Sequence, residues 1–177
     1  MRALLAAAVL VATAATARAE PARRLRVGVD GVLPFSAWDR VAGPGLGGSL
    51  AAGVARAPGL EVTARVAVIA HAGATTDGVT AHLLEAPVVG GARYVLATHG
   101  RARGFALGEV GVIATRTTVT IGDVSDHQSR LDLAGAIGAG ASYRGVDLTV
   151  AAWLADLGDL DHGVGVTASV AVEVARW

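Results

Sequence analysis

Apolar residues alternate one by one with small or charged residues along most of this chain, and a period of two belongs to a strand with two unlike faces. Arg24 to Leu33 sets the pattern, with Leu25, Val27, Val29 and Leu33 on one face and Arg26, Gly28 and Asp30 on the other. Leu46 to Arg56 repeats it with Leu46, Leu50, Ala52 and Val54 against Gly47, Ser49, Ala51 and Gly53. A tight turn at Ala57-Pro58-Gly59 then reverses the chain into Leu60 to His71, where Leu60, Val62, Ala64, Val66 and Val68 oppose Glu61, Thr63, Arg65 and Ala67.

Five further stretches follow the same rule: Ala81 to Leu96, Arg101 to Thr118, Leu131 to Arg144, Val146 to Ala155 and His162 to Arg176. Pro87 lies inside the first of these and cannot donate to a strand ladder. Phe105, Leu107 and Ile113 fall on the polar face of the second, which predicts a bulge or an imperfect phase there. Connections alternate in length. Ala57 to Gly59, Ala97 to Gly100 and Gly145 are short, whereas Phe35 to Gly45, Ala72 to Thr80, Val119 to Arg130 and Asp156 to Asp161 are long. Eight strands with short turns at one end and long loops at the other predict an all-β fold, an eight-stranded antiparallel up-and-down transmembrane β-barrel.

The distribution of charge says which face meets what. The chain is 53% hydrophobic and carries 24 glycines, yet after Glu20 it holds no apolar run of the roughly 20 residues that a membrane helix needs. A soluble barrel or sandwich binding a small apolar ligand is the alternative, but its outward strand positions would be rich in charge. Here the strand charges are few: Arg26, Asp30, Glu61, Arg65, Glu85, Arg93, Glu109, Asp147 and Glu173. They share a face with Gly, Ala, Ser and Thr, the residues that a narrow eight-stranded interior accommodates, and both signs are present. An inward, mutually neutralising network avoids the cost of about 2 to 4 kcal/mol for an arginine facing lipid at the midplane. Arg93 and Glu109 are the expected inward pair. Tyr94 and Tyr143 lie on the apolar face beside short turns, where an aromatic girdle is expected.

The first residues, MRALLAAAVLVATAATARAE, supply a basic Arg2, an apolar stretch from Leu4 to Ala15 and a small-x-small site at Ala17-Arg18-Ala19. That is the pattern of a cleaved export signal over 1–19, with one domain over 20–177. With no cysteine, neither disulfides nor thiolate chemistry are available. Without Arg2 and Arg18 the charge balance is slightly acidic, and no basic stripe points to nucleic acid.

The segments HLLEAPVVGGARYVL, GRARGFALGEVGVIATRTTV, DLAGAIGAGASYRGVDLTVAAW and GVGVTASVAVEVARW, from His82 to the end, resemble the small outer-membrane β-barrel proteins of Gram-negative bacteria, the OmpA-like and OmpW-like eight-stranded barrel domains. That resemblance implies a monomer in outer-membrane lipid with no cofactor. It also implies that the outer-membrane assembly machinery recognises the last strand through its terminal aromatic residue, Trp177.

Motifs for chemistry are sparse. Gly43-Pro44-Gly45-Leu46-Gly47-Gly48 matches G-x-G-x-x-G, but no strand-turn-helix pattern surrounds it, so it is not read as a dinucleotide site. His127 and Ser129, with Asp126 beside them, form an H-x-S pair similar to that of outer-membrane lipid A deacylases, and give the alternative of a lipid hydrolase. In a polar loop nothing would fix their geometry. His162 with Asp159 and Asp161 reads as an acidic loop tip rather than a metal site. An eight-stranded interior is filled by side chains, so a large-solute pore is not expected. These features predict a structural or surface-interaction barrel without catalytic activity.

Overall fold

In a computed structural model, residues 22–35, 43–76, 78–155, 157 and 163–177 are described. The leader predicted over 1–19 and the acidic loop positions Asp159, Asp161 and His162 lie outside the described residues. The strands are β1 (Arg23–Phe35), β2 (Gly45–Ala57), β3 (Leu60–His71), β4 (Ala74–Thr76), β5 (Val79–His99), β6 (Ala102–Ile121), β7 (Val124–Tyr143), β8 (Val146–Leu154) and β9 (Val164–Arg176). All pairings are antiparallel; β1 pairs with β9, and β3 pairs with β5, which closes eight strands into a ring. The short β4 prolongs the edge of β5 at the far end. At the closure the termini lie side by side, with Arg23 N donating to Trp177 O at 2.8 Å and Trp177 N to Arg23 O at 3.2 Å.

The ring has an apolar outside and a close-packed inside that is charged over its short-turn half. Val27, Val29, Leu50, Val68, Val88, Val110, Leu148 and Val170 all point outward and are exposed. Arg26, Asp30, Glu61, Arg93 and Asp147 are buried within the lumen. This inverts a water-soluble protein and suits a barrel whose outer surface meets lipid. The single closed ring, with its interior given to charge, rules out the sandwich over an apolar core. Inward glycines make the interior wide enough for its larger side chains. A Cβ on Gly53 would lie 1.7 Å from Glu61 Oε1, and one on Gly140 would lie 2.4 Å from Phe105 Cζ.

Three local expectations are corrected. Val119 to Arg130 is not a long loop, because β6 and β7 continue through it and turn at Gly122-Asp123. Part of Ala72 to Thr80 is likewise extended, as β4 and the start of β5. The irregularity expected around Phe105, Leu107 and Ile113 is confined to Phe105 and lies in β5 rather than β6: β5 slips between Val95, opposite Phe105, and Ala97, opposite Gly104, while β6 stays in register with β7 throughout. Phe105 and Ile113 are instead fully buried inward residues. Pro87 is tolerated because the β3–β5 ladder skips from Val66↔Val88 to Ile69↔Glu85, so its missing N–H falls at a gap.

Candidate functional site: the sealed lumen and its two ends

The lumen is layered along its axis. Toward the short turns lies a charge network drawn from strands that are distant in sequence. Arg26 forks onto Glu61 at 2.7 and 2.9 Å and also reaches Asp147 at 3.0 Å. Arg93 donates to the same Asp147 Oδ2, reaches Oδ1 at 3.4 Å, and lies over the Phe105 ring, 3.5 Å from its centroid. Arg65 binds Glu109 at 2.8 Å and stands 3.7 Å from Asp30, whose other oxygen accepts from Ser169. Arg24 stands 3.4 Å from Glu61 and 3.7 Å from Glu173, and Arg176 donates to Glu173 at 2.7 and 3.0 Å. The expected partnership of Arg93 with Glu109 is therefore replaced by two others, Arg93 with Asp147 and Arg65 with Glu109. In so narrow a ring an arginine reaches across the lumen more readily than along its own wall.

Toward the far end the charges give way to an apolar plug of Val32, Ile69, Val89, Ile113, Ala134 and Trp153. Trp153 fills the centre, with Arg65 6.0 Å from its ring centroid. The space left among the charges is about 90 Å³, room for a few waters rather than a solute. Beyond the plug lies a pair that the sequence reading only half identified: Glu85, a predicted inward charge, stands 3.0 Å from His71 Nε2, and both side chains are inaccessible to solvent. His71 Nδ1 is 2.8 Å from the carbonyl oxygen of Gly43. Gly45 leaves room for that imidazole, since a Cβ there would lie 2.9 Å from His71 Cε1. The inward phase of His71 in β3 was the available signal.

The outside of β5, β6 and β7 changes character along its length. The rows Val88–Val112–Leu133 and Ala86–Ala114–Leu131 are apolar. The next rows are Leu84–Arg116–Ser129, His82–Thr118–His127 and Thr80–Thr120–Ser125. From Val124 to Leu131 every residue is exposed, on both faces. About 9 to 11 tilted residues cross a bilayer, so β6 and β7, with 20 each, run on as a polar ribbon. His127 and Ser129 stand on that ribbon. The imidazole meets Thr118 Oγ1 at 3.0 Å, and Ser129 is paired in register with Arg116. Among the described residues no cluster of metal-binding side chains forms.

The other end is ringed by the short turns. Tyr94 and Tyr143 are half-exposed on the outer surface there, and Trp177 is exposed at the β1–β9 seam of the same end. Arg144 lies 5.3 Å from the Tyr143 ring centroid.

No family model and no curated protein matches the chain. Among solved structures, the attachment invasion locus protein Ail of Yersinia pestis superposes with a TM-score of 0.67 over 90% of this chain and 100% of its own, at 13% identity. This chain has the fold of an eight-stranded outer-membrane β-barrel. A second structure of Ail, in complex with the heparin analogue sucrose octasulfate, aligns with a TM-score of 0.65 at 14% identity over the same shares of both chains.

Proposed function

We propose that this chain is a monomeric outer-membrane barrel of the OmpA-like kind that serves as a surface-contact protein, exported by the leader over 1–19 and acting through the ribbon formed by β6 and β7. The observation that carries this reading is the switch from an apolar to a polar outer surface at Arg116, beyond which β6 runs on half-buried and β7 continues exposed on both faces. Short turns belong on the periplasmic side of such barrels, so the ribbon stands outside the cell. Its tip offers Ile121 and Val124 around Gly122-Asp123, two large apolar side chains held in water. Ail is described as an attachment protein, which is consistent with this reading. The sealed lumen argues against transport. His127 and Ser129 stand exposed on an open ribbon.

The absence of native cysteine makes the test clean. Ser125→Cys at the ribbon tip should react with a membrane-impermeant maleimide on intact cells, whereas Ala102→Cys at a short turn should react only after lysis. Replacing Thr118 to His127 by a two-residue turn should then abolish attachment of expressing cells to a host-cell layer while the barrel stays folded. An unlabelled Ser125→Cys on intact cells, or attachment unchanged by the deletion, overturns the proposal.

A further inference from the structure

The end opposite the ribbon carries three arginines, Arg101, Arg103 and Arg144, that the lumen network does not use, beside two, Arg24 and Arg176, that it does. All the basic residues of this chain other than histidine are arginine. Arg24, Arg101, Arg103, Arg144 and Arg176 line one cavity of about 450 Å³ at the short-turn mouth, with Ser142 and a single carboxylate, Glu173. That carboxylate is already held by Arg176 and Arg24. Among the described residues no carboxylate pairs with Arg101, Arg103 or Arg144.

Arg144 is also strained. It takes φ 51 in the two-residue turn with Gly145, which has φ 86. That conformation favours Asn or Asp before the glycine, and a long side chain is held there only under backbone strain. Strain at a cavity lip places a guanidinium where an ordinary turn residue would have been easier to fold.

We infer that this mouth is a binding site for a multiply charged phosphate oxyanion. Guanidinium groups are weakly hydrated, always charged and shaped to grip phosphate oxygens in pairs. With Arg24 and Arg176 committed to Glu61 and Glu173, the guanidinium groups of Arg101, Arg103 and Arg144 remain uncompensated among the described residues and leave a positive potential inside a concave wall, which concentrates anions. The phosphate could belong to a soluble oligophosphate entering from water or to an anionic lipid headgroup at the rim, and the chemistry of recognition is the same for both. The site does not depend on what the ribbon contacts.

The test uses the full barrel, refolded into nanodiscs of zwitterionic lipid at low salt, with tripolyphosphate as probe in titration calorimetry. Saturable binding that weakens with added salt and falls at least tenfold in Arg101→Gln/Arg103→Gln assigns a soluble phosphate. Absence of that binding, with Arg101- and Arg103-dependent retention of phosphatidylglycerol in native mass spectra, assigns the lipid headgroup. Should the double variant fail to fold, Arg144→Gln replaces it. Arg116→Gln, at the other end, should change nothing. Failure to take up either probe, or uptake equal in the wild type and the folded mouth variants, overturns the site.

Discussion

Arg26 and Glu61 meet inside the barrel through two parallel hydrogen bonds of 2.7 and 2.9 Å, although 35 residues separate them in the chain. The bond ties β1 to β3 across β2, and it is feasible because Gly53 on β2 leaves space for the Glu61 carboxylate. Removing Glu61 leaves the buried Arg26 with Asp147 alone, a loss of up to about 3 kcal/mol, whereas removing both with apolar replacements is cheaper. Glu61→Ala should therefore lower the urea midpoint of the refolded barrel well below that of Arg26→Met/Glu61→Leu. Equal midpoints would show that the pair is not coupled.

The glycines facing large interior side chains should resist even a methyl group. Gly140→Ala pushes into the Phe105 ring and the Leu148 carbonyl, 2.4 and 2.3 Å from the new Cβ, and overpacking of this kind costs about 1 to 3 kcal/mol. Gly104→Ala has nothing within 4 Å and should be nearly neutral. Urea titration of both variants in the same lipid measures the difference.

Arginine introduced on the outside should report depth. Val110 lies midway along the apolar outer face of β6, so Val110→Arg should cost about 2 to 4 kcal/mol in lipid. Thr118→Arg, above the polar switch at Arg116, should cost close to nothing. Similar losses at both positions would misplace the bilayer boundary.

That boundary also explains what the sequence could and could not tell. Alternation reports a difference between two environments, lipid outside and lumen inside, so it was readable wherever a strand crosses the bilayer. The inward phases of Arg26, Glu61, Arg65, Arg93 and Asp147 follow from it. Where β6 and β7 leave the lipid, both faces meet water, the contrast disappears, and Val119 to Arg130 reads as loop although it is strand. An inward phase for Ile113 makes sense only because the far half of the interior is an apolar plug around Trp153, and for Phe105 because its ring lies under the Arg93 guanidinium inside the charge layer. Partner choice across the lumen depends on ring geometry that a linear pattern does not encode, hence Asp147 rather than Glu109 for Arg93. The arginine mouth was scattered over the chain ends and two turns, and only closure of the ring assembles it.

The plug and the charge network leave about 90 Å³ open between them, too little for a solute path. Planar bilayers containing the purified barrel should show no porin-like conductance, and Trp153→Ala should lose about 3 to 5 kcal/mol of stability through the cavity it leaves. Discrete large channels from the wild-type protein would contradict a sealed lumen.

The measurement that bears most directly on the whole account is fractionation of expressing cells followed by electrophoresis with and without boiling. A membrane-spanning eight-stranded barrel should appear in the outer-membrane fraction and run faster unboiled, as a compact folded species, than after boiling. Recovery in the soluble periplasmic fraction, or one mobility regardless of heating, would contradict it.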